Sequence, residues 1–485
     1  MIDANNSLTQ PPQGWVWTRL LEISEIILGQ SPPSSTYNDE GNGLPFYQGK
    51  LEFGDVYPIA RKWCSSPKKI AEKGDILISV RAPVGPTNIC PDKSCIGRGL
   101  AAIRPFDGIE SHFILYLLRA FENVLAGKGT GTTFNAITGD QLRTFSIALP
   151  PLLEQRRIVA KIEELFTRLD AGVDALNKIK LQLKQYRQAV LKHAFEGKLT
   201  EEWREAYKAE MKPVPVLLER IKEERKKNVK GKLKELPRMD TSGLPELPEG
   251  WVWTRLGDIA QVITGNTPSK KDPENYGKDI PFAKPPELND CVITSSEDNL
   301  SQKGAAIARV LPPDAVLVSC IGILGKTGIN KVTVAFNQQI NAAVFYEGVL
   351  PKYGFYYSQT LRNWLYGVAS ATTLPIVNKS RFELAPVPLA PLPEQHKIVE
   401  EIDRCFSVAD AIEKDVGQSI KQGDRLRQAI LKRAFVGKVV PQDPNDEPAE
   451  KLLERVMAEK AKSEVEKKAR GRGRSKLKTI EGRLI

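Results

Sequence analysis

The chain contains little histidine and little cysteine, and its cysteines follow no regular spacing. Its 485 residues include three histidines and six cysteines, and no two cysteines form a CxxC pair. We therefore expect neither a disulfide framework nor a zinc site, and we expect the reducing setting of the cytoplasm. The N-terminal residues 1–15 are polar and lack the apolar core of a secretory signal.

Long apolar runs and catalytic signatures are also missing. No run approaches the length of a transmembrane helix, and no GxSxG, HExxH or EF-hand loop occurs. The GKT at Gly325–Thr327 is not a P-loop, because Cys320 replaces its first glycine and a strand-like segment follows it. KPPE at Lys284–Glu287 is not the (D/N)PP(Y/F) loop of an adenine methyltransferase. We therefore predict no catalytic, metal or cofactor site in this chain by itself.

Positive charge is in excess. There are 70 lysines and arginines against 59 aspartates and glutamates, which gives a net charge of +11 and a pI of about 9.1. This balance favours a polyanionic partner without proving one. The hydrophobic fraction of 41% supports real cores, and the length suffices for two to four domains.

The sequence contains a long internal repeat. Residues 151–199 and 391–439 are related by a constant offset of 240, and their opening nine positions match at six. The heptapeptide GWVWTRL occurs at Gly14–Leu20 and again at Gly250–Leu256. Each half therefore consists of an opening segment, a variable region and a repeated segment, which indicates duplication of a whole domain.

Each repeated segment is predicted to be one long helix. With Ile158 at a heptad d position, nine of the eleven a/d positions up to His193 are apolar or aromatic. The second copy is similar but weaker around Ser419 and Gly423. Prolines precede both helices, and Gly197 and Gly437 are suitable stops. Two matched apolar seams most simply pair as a coiled coil; two unrelated core helices are the alternative.

The variable regions between these segments contain short apolar strands and Gly/Pro turns, with helical stretches near His112–Asn123 and Gly354–Trp364. A shared frame with different contents suggests one task performed on two targets, and neutral drift is the alternative. A charged helical stretch, Thr200–Lys227, is predicted to break at Pro213 and Pro215. The basic tail Lys467–Lys478 is predicted to be disordered, and it either contacts phosphates or is simply solvated.

The duplicated frame resembles the specificity subunit of type I restriction–modification enzymes. The resemblance is carried by LPEGWVWTRLGDI at Leu247–Ile259, PLPEQHKIVEEID at Pro391–Asp403 and RQAILKRAFVGK at Arg427–Lys438, together with their first-half copies. LLERVMAEK at Leu452–Lys460 also fits. Two such signatures, correctly ordered around two variable regions, cover nearly the whole chain.

The resemblance implies an α/β (α+β) fold with two α/β target-recognition domains and two long helices that pair as an antiparallel coiled coil. The expected order is target-recognition domain 1 (1–150), spacer helix 1 (151–200), a helical segment and linker (201–249), target-recognition domain 2 (250–390), spacer helix 2 (391–440), and a helical segment with a basic tail (441–485).

The resemblance also implies a noncatalytic role. Each domain would read one half of a split, asymmetric site in double-stranded DNA, and the helix length would set the unread spacer. Two modification subunits would carry S-adenosylmethionine and methylate adenine N6. Restriction subunits would supply ATP- and Mg-dependent translocation and cleavage. Two alternatives remain: a coiled-coil adaptor that binds only protein, and the recognition subunit of a fused nuclease–methyltransferase system.

The residues that would read DNA can only be nominated. In each domain the loop after the PF strand is a plausible reader in this family's frame, and we also nominate the loop after GDILISV and the GRGL and NQQI turns. Arginine can bridge guanine, and asparagine or glutamine can bridge adenine, whereas an ordinary surface or turn role is the alternative. Four threonines recur in both halves and either bind phosphate or shape a turn. The candidates are Gln48, Lys50, Arg81, Arg98, Lys284, Asn337, Gln338, Gln339, Thr132, Thr133, Thr372 and Thr373.

Overall fold

The computed structural model describes residues 10–127, 136–228, 236–237, 239–370 and 373–462. The chain forms two compact units. Unit 1 contains Met1–Leu176 and Gln418–Ile485, and unit 2 contains Asn177–Gly417. Each unit mixes helices with sheets, which confirms the predicted fold class. In the described residues, no helix is both long enough and apolar enough to cross a bilayer.

The strands of unit 1 build three sheets. They are β1 (Val16–Arg19), β2 (Ser24–Leu28), β3 (Tyr37–Asn38), β4 (Leu44–Tyr47), β5 (Trp63–Cys64), β6 (Ile70–Ala71), β7 (Ile76–Ser79), β8 (Thr87–Ile89), β9 (Ser94–Ile96), β10 (Leu100–Pro105) and β11 (Ser146–Leu149). The sheet orders are β2-β10-β7-β8, β3-β5-β4-β9-β6 and β1-β11. Within the second sheet β4 and β9 run parallel, with Phe46 opposite Cys95.

Short helices of unit 1 cover these sheets. They are α1 (Leu20–Ile23), α2 (Ser111–Ala120), α3 (Glu122–Gly127) and α4 (Gly139–Arg143), and α5 (Leu152–Phe195) begins here. The stretch predicted as one helix near His112–Asn123 is therefore two helices that separate at Phe121. The central apolar face of α2 is buried, and Phe113 and Leu118 are fully inaccessible. This burial explains why the stretch is helical although it is short.

Unit 2 repeats the plan with its own strand pairing. Its strands are β12 (Val252–Arg255), β13 (Ala260–Thr264), β14 (Tyr276–Ala283), β15 (Cys291–Ile293), β16 (Asn299–Leu300), β17 (Val310–Leu311), β18 (Val316–Ser319), β19 (Thr327–Asn330), β20 (Val334–Phe336), β21 (Ile340–Phe345) and β22 (Pro386–Leu389). The sheet orders are β13-β21-β18-β19-β15, β16-β14-β20-β17 and β12-β22. The strands β14 and β20 run parallel, as β4 and β9 do in unit 1. The segment that follows GKT contains the end of β19 and all of β20, so it is strand-forming as predicted.

The helices of unit 2 differ from the sequence prediction in two details. They are α6 (Glu201–Tyr207), α7 (Val214–Asn228), α8 (Leu256–Ile259), α9 (Gln302–Ile307), α10 (Pro351–Ser358), α11 (Arg362–Val368) and α12 (Lys379–Phe382), and α13 (Leu392–Ala434) begins here and ends in unit 1. Pro215 does not break the charged stretch, because it lies in the first turn of α7, where no intrahelical donor is needed. The helix expected near Gly354–Trp364 is split into α10 and α11.

The two long helices confirm the central prediction. They span 44 and 43 residues and end before Gly197 and Gly437, whose φ angles are +72° and +70°. At each end the backbone N–H after the glycine bonds back to a carbonyl of the last helical turn: Lys198 to His193 and Lys438 to Arg433, both at 2.9 Å. Glycine is favoured there because a side chain would strain the left-handed backbone.

The helices pair antiparallel in each unit taken by itself. In unit 1, Arg427 lies over Phe166 and forms an ion pair with Asp170, and Gly423 faces Val173. Residues later in α5 thus contact residues earlier in α13, which is the pattern of an antiparallel pair. In unit 2, Arg187 lies over Phe406 and pairs with Asp410. The predicted antiparallel coiled coil is confirmed.

The heptad assignment is wrong at several positions. Gly172, Tyr186 and His193 of the predicted a/d series are exposed, and so are Ile412 and Leu426 in the second helix. The covered positions of α5 recur on average every 3.6 residues, which is the repeat of a straight α-helix and not the 3.5-residue repeat that the heptad assignment assumed. They are Ile158, Ile162, Leu165, Leu169, Val173, Leu176, Ile179, Leu183, Arg187, Val190 and Ala194.

The core of unit 1 is assembled from both ends of the chain. Phe113 of α2 packs edge-on against Phe435, with ring centroids 5.3 Å apart. Leu431, Leu452 and Val456, which come from α13 and from a helix over residues 449–462, are buried in the same cluster. The second half of the chain therefore completes the first unit.

Candidate nucleic-acid interface

The nominated residues of unit 1 gather where β4 and β9 end. Because the two strands are parallel, the segments that follow them emerge at the same edge of the sheet. Gly97 N–H donates to Tyr47 C=O at 2.8 Å, which joins the turn after β9 to the loop after β4. Gln48, Lys50 and Arg98 are all exposed on these segments. The structure thus brings three of the predicted readers together.

Two glycines are required around the turn that carries Arg98, one next to it in the sequence and one on a neighbouring segment. A Cβ on Gly99 would lie 2.2 Å from the carbonyl oxygen of Gln48, and a Cβ on Gly29 would lie 2.1 Å from that of Gly97. No side chain fits at such distances, so the backbones can approach only because these residues lack one. The close packing fixes a turn that presents Arg98 outward.

A hydroxyl group orients Arg98. Its backbone N–H donates to Ser31 Oγ at 3.2 Å, and its Nε lies 3.5 Å from the same oxygen. Ser31 follows β2, so a third segment joins the edge. The remaining guanidinium nitrogens can still donate two parallel hydrogen bonds, which is the pattern that recognises guanine O6 and N7.

Unit 2 builds the same edge with different side chains. Asn337 N–H donates to Ala283 C=O at 3.2 Å, which reproduces the bond between Gly97 and Tyr47. Thr267 Oγ1 donates to Gln338 Oε1 at 2.5 Å. A hydroxyl group thus contacts Gln338 as the Ser31 hydroxyl contacts Arg98, although the Ser31 hydroxyl is the acceptor. The exposed Gln338 therefore occupies the position of Arg98. Its amide has one donor and one acceptor suited to adenine N7 and N6.

The neighbours of Gln338 shape the turn. Asn337 is buried, and its Nδ2 donates to Gln339 Oε1 at 2.9 Å while its Oδ1 accepts from Gln339 N–H at 3.1 Å. Both side chains are therefore engaged with each other. They fit the turn-forming alternative better than the reading role.

The remaining candidates are less alike in the two units. Lys284 takes the position of Gln48, but its ammonium group forms an ion pair with Asp298. Arg81 is exposed and forms a backbone bridge with Ala136, whereas the bridge in unit 2 joins Ile321 to Ile376. Ile321 is therefore the counterpart of Arg81 in unit 2, and it is apolar. Thr373 is exposed. Thr132, Thr133 and Thr372 lie outside the described residues.

The sequence reading missed the hydroxyl groups of Ser31 and Thr267. A signal for them existed, because GQS at Gly29–Ser31 and GNT at Gly265–Thr267 are separated by the same offset of 236 as the two GWVWTRL copies. Recognising it required aligning the start of each variable region with an offset of 236, and the end of that region and the long helix with an offset of 240.

Three cysteines in or beside the recognition sheets are buried. Burial raises the pKa of the Cys90 thiol to about 11 and those of Cys95 and Cys320 to about 12. These thiols remain protonated at neutral pH, in the unreactive form. Among the residues that the structure describes, no cluster of three metal-ligating side chains occurs.

A buried polar cluster anchors the start of α13 in unit 2. Glu394 is fully buried; it accepts from Thr200 Oγ1 at 2.8 Å and from Trp251 Nε1 at 2.7 Å. The guanidinium of Arg204 lies 3.6 Å from the same carboxylate. In unit 2 the cluster fixes the GWVWTRL segment against the start of the long helix.

The chain belongs to the family described as type I restriction modification DNA specificity domain, whose sequence model matches residues 12–185 and 248–422. Two copies of this domain make it a specificity subunit with two DNA-recognition domains.

Similar proteins span nearly the whole chain. The type I restriction enzyme EcoDI specificity subunit of Escherichia coli is 28% identical over 95% of this chain and 98% of its own length. The EcoBI specificity subunit of the same species is 24% identical over 97% and 98%. The crystal structure of the HsdS subunit from Thermoanaerobacter tengcongensis shares the fold, with a TM-score of 0.52 and 23% identity over 88% of this chain and 98% of that one.

Proposed function

We propose that each recognition domain reads one half of a bipartite, asymmetric site in double-stranded DNA. The chain itself performs no chemistry in this proposal. It directs adenine N6 methylation and ATP-dependent cleavage by partner subunits, and the length of α5 and α13 sets the unread spacer between the two half-sites.

One observation carries the proposal. The two edges have the same backbone frame, and a hydroxyl group contacts the outermost side chain in each, but that side chain is Arg98 in one unit and Gln338 in the other. Arginine and glutamine pair best with guanine and adenine, respectively. Two domains that read different DNA sequences need the same backbone frame with different polar side chains on it. This arrangement supports an asymmetric target.

The partners follow from the same role. Two modification subunits carry S-adenosylmethionine and flip the target adenine out of the duplex, because its amino group cannot be reached inside the stack. Restriction subunits carry ATP and Mg. The assembly acts in the cytoplasm, where its DNA substrate lies.

The test is to express the chain with its modification subunit in a host that lacks adenine methylation, and to map methyladenine across the genome. We expect a split motif with a fixed spacer. Arg98→Ala should relax one half-site and leave the other unchanged, and Gln338→Ala should do the reverse, so each variant is the control for the other.

Two outcomes would contradict the proposal. If the soluble, assembled complex methylates no more than the modification subunit alone, the chain does not specify DNA. If both variants weaken both half-sites equally, the edges are not separate readers.

A further inference from the structure

A cluster of four side chains occurs twice, once in each unit, at a place where the recognition domain meets both long helices. In unit 1 it consists of Tyr116 from α2, Phe166 and Asp170 from α5, and Arg427 from α13. Tyr116 packs edge-on against Phe166 with centroids 5.8 Å apart, and the Arg427 guanidinium lies 5.2 Å from the centre of the same ring. Asp170 forms an ion pair with Arg427. We call this cluster the joint.

The joint of unit 2 has the same composition and geometry. Tyr356 packs edge-on against Phe406 at 5.6 Å, and Arg187 lies 5.4 Å from the ring centre. Arg187 also pairs with Asp410 and, unlike Arg427, with a second carboxylate, that of Glu413, both at 2.8 Å. Every member is related to its counterpart by the offset of 240. The four residue types are therefore the same in the two halves, although the reading edges differ.

Each tyrosine also faces a carboxylate of the long helix beneath it. In unit 2 the Tyr356 hydroxyl donates to Asp403, which pairs with Lys352 at 2.7 Å. In unit 1, Glu163 is near Tyr116, and burial raises the pKa of Tyr116 to about 12. Both hydroxyls stay protonated and can serve as donors at neutral pH.

A second attachment lies at the start of each long helix. The buried Gln155 accepts from Glu110 N–H at 3.1 Å and donates to Pro150 C=O at 3.0 Å. Gln395 accepts from Leu350 N–H at 2.9 Å in the same way. Eleven residues separate Gln155 from Phe166, which is roughly 16 Å along a helix. Two attachments at that separation define the angle between a domain and the helix.

The joint lies beside an open cavity in both units. The cavity measures about 600 Å³ in unit 1 and about 650 Å³ in unit 2. The joint therefore lies at the margin of the apolar cluster through which the domain packs on the helices, a cluster that in unit 1 includes Phe113 and Ile162. A movement of about 2 Å at the joint would turn the domain by roughly 7° about the glutamine attachment, given the helical rise.

We infer that the joint sets the direction in which each recognition domain leaves the helix pair, and so determines how strictly the DNA spacer length is read. Arg427 and Arg187 are the positioning residues, since each contacts an aromatic ring and a carboxylate at once. Neither needs to touch DNA. The inference rests on the proposed bipartite function.

The test uses the complete complex of this chain with its modification subunits. The substrates are DNA duplexes that carry both half-sites at the natural spacing, one base pair shorter and one base pair longer. For Arg427→Gln we expect methylation at the altered spacings to rise about tenfold relative to the natural one, because a freed domain can meet a displaced half-site. The base preference within each half should stay unchanged. Arg187→Gln should behave in the same way.

The matched control is Arg425→Gln, which makes the same charge change at an exposed position of α13 and should keep the natural spacing preference. Should Arg427→Gln fail to assemble, Arg427→Lys decides, since it keeps the charge but loses the planar stacking surface and should relax spacing to a smaller extent.

An unchanged spacing preference in an assembled variant would overturn the inference, and so would an equal loss of methylation at all three spacings. Failure of the proposed function looks different, because the wild-type complex would then show no split motif at all.

Discussion

At the scale of single residues, the two halves differ in what surrounds a buried carboxylate. Glu394 and Glu154 hold the same position in the two copies. Glu394 has Thr200, Trp251 and Arg204 around it. Within the described part of the chain, Glu154 Oε1 has no hydrogen-bond partner, and burial raises the pKa of Glu154 above its ordinary value.

Neutralising the two carboxylates should therefore have different effects. Glu394→Gln should lower the free energy of unfolding by about 3 kcal/mol, because it leaves the buried guanidinium of Arg204 without its counter-charge. Glu154→Gln should cost less than about 1 kcal/mol at neutral pH, because it removes a charge that burial disfavours. Thermal and denaturant unfolding of both variants measures the difference.

The pH dependence provides the control. A raised carboxyl pKa in the folded state means that wild-type stability falls as the pH rises above the ordinary value of 4.5. Glu154→Gln should therefore gain stability relative to wild type as the pH rises from 4 to 8. A constant difference over that range would show that Glu154 titrates as an ordinary carboxyl group.

Single residues were also the hardest to assign from sequence. Arg98 could be matched only loosely to the turn at Asn337–Gln339, and the hydrogen bonds now select Gln338. The ambiguity arose because the offset between the halves changes from 236 to 240 inside the variable region. Which of the exposed candidates contact bases stays a prediction, because base contacts depend on a DNA partner and no residue-to-base code describes them.

At the scale of elements, the long helices could be predicted well because the signal accumulates over many turns. Their apolar periodicity, their preceding prolines and the glycine stops all agreed with one another. The sequence was less informative about which residues of each helix face the partner helix. A 3.5-residue repeat and a 3.6-residue repeat differ so little per turn that they diverge by a whole residue only after many turns. Val173 and Arg187 therefore replaced Gly172 and Tyr186 on the covered side.

The glycines inside these helices lead to a prediction. A Cβ on Gly172 or Gly417 would meet nothing within 4 Å, whereas a Cβ on Gly423 would lie 3.3 Å from Val173 Cγ2. Gly172→Ala and Gly417→Ala should each stabilise the protein by about 0.5–1 kcal/mol, because alanine loses less backbone freedom in a helix. Gly423→Leu should destabilise it by about 1–3 kcal/mol through overpacking. Midpoints of urea unfolding provide the measurement.

The comparison among the three positions contains its own control. If Gly423→Leu were tolerated as well as Gly172→Ala, then Gly423 would not determine how closely the helices approach in unit 1.

At the scale of the whole molecule, the net charge of +11 predicts that DNA binding is sensitive to salt. Lys50 is exposed in unit 1, at the sheet edge that also carries Gln48 and Arg98. Lys50→Ala in the assembled complex should weaken binding equally for all sequences and reduce the slope of log affinity against log salt by about one. Fluorescence anisotropy at several salt concentrations measures both quantities.

Lys178→Ala, on the exposed surface of α5, is the matched control and should leave the slope unchanged. A change in base preference with Lys50→Ala would mean that this lysine contacts base edges and not the phosphate backbone.

The composition of unit 1 has a consequence for how the protein is made. Its core contains Phe113 from the first half together with Phe435 and Leu452 from near the other end of the chain. On the ribosome, the first recognition domain emerges early but keeps an uncovered apolar face until the closing segment has been translated. Unit 2, which is one continuous stretch, can complete its core sooner. The domain that is synthesised first is thus the last to mature, and a nascent chain that stalls within α13 leaves it open to chaperones and proteases.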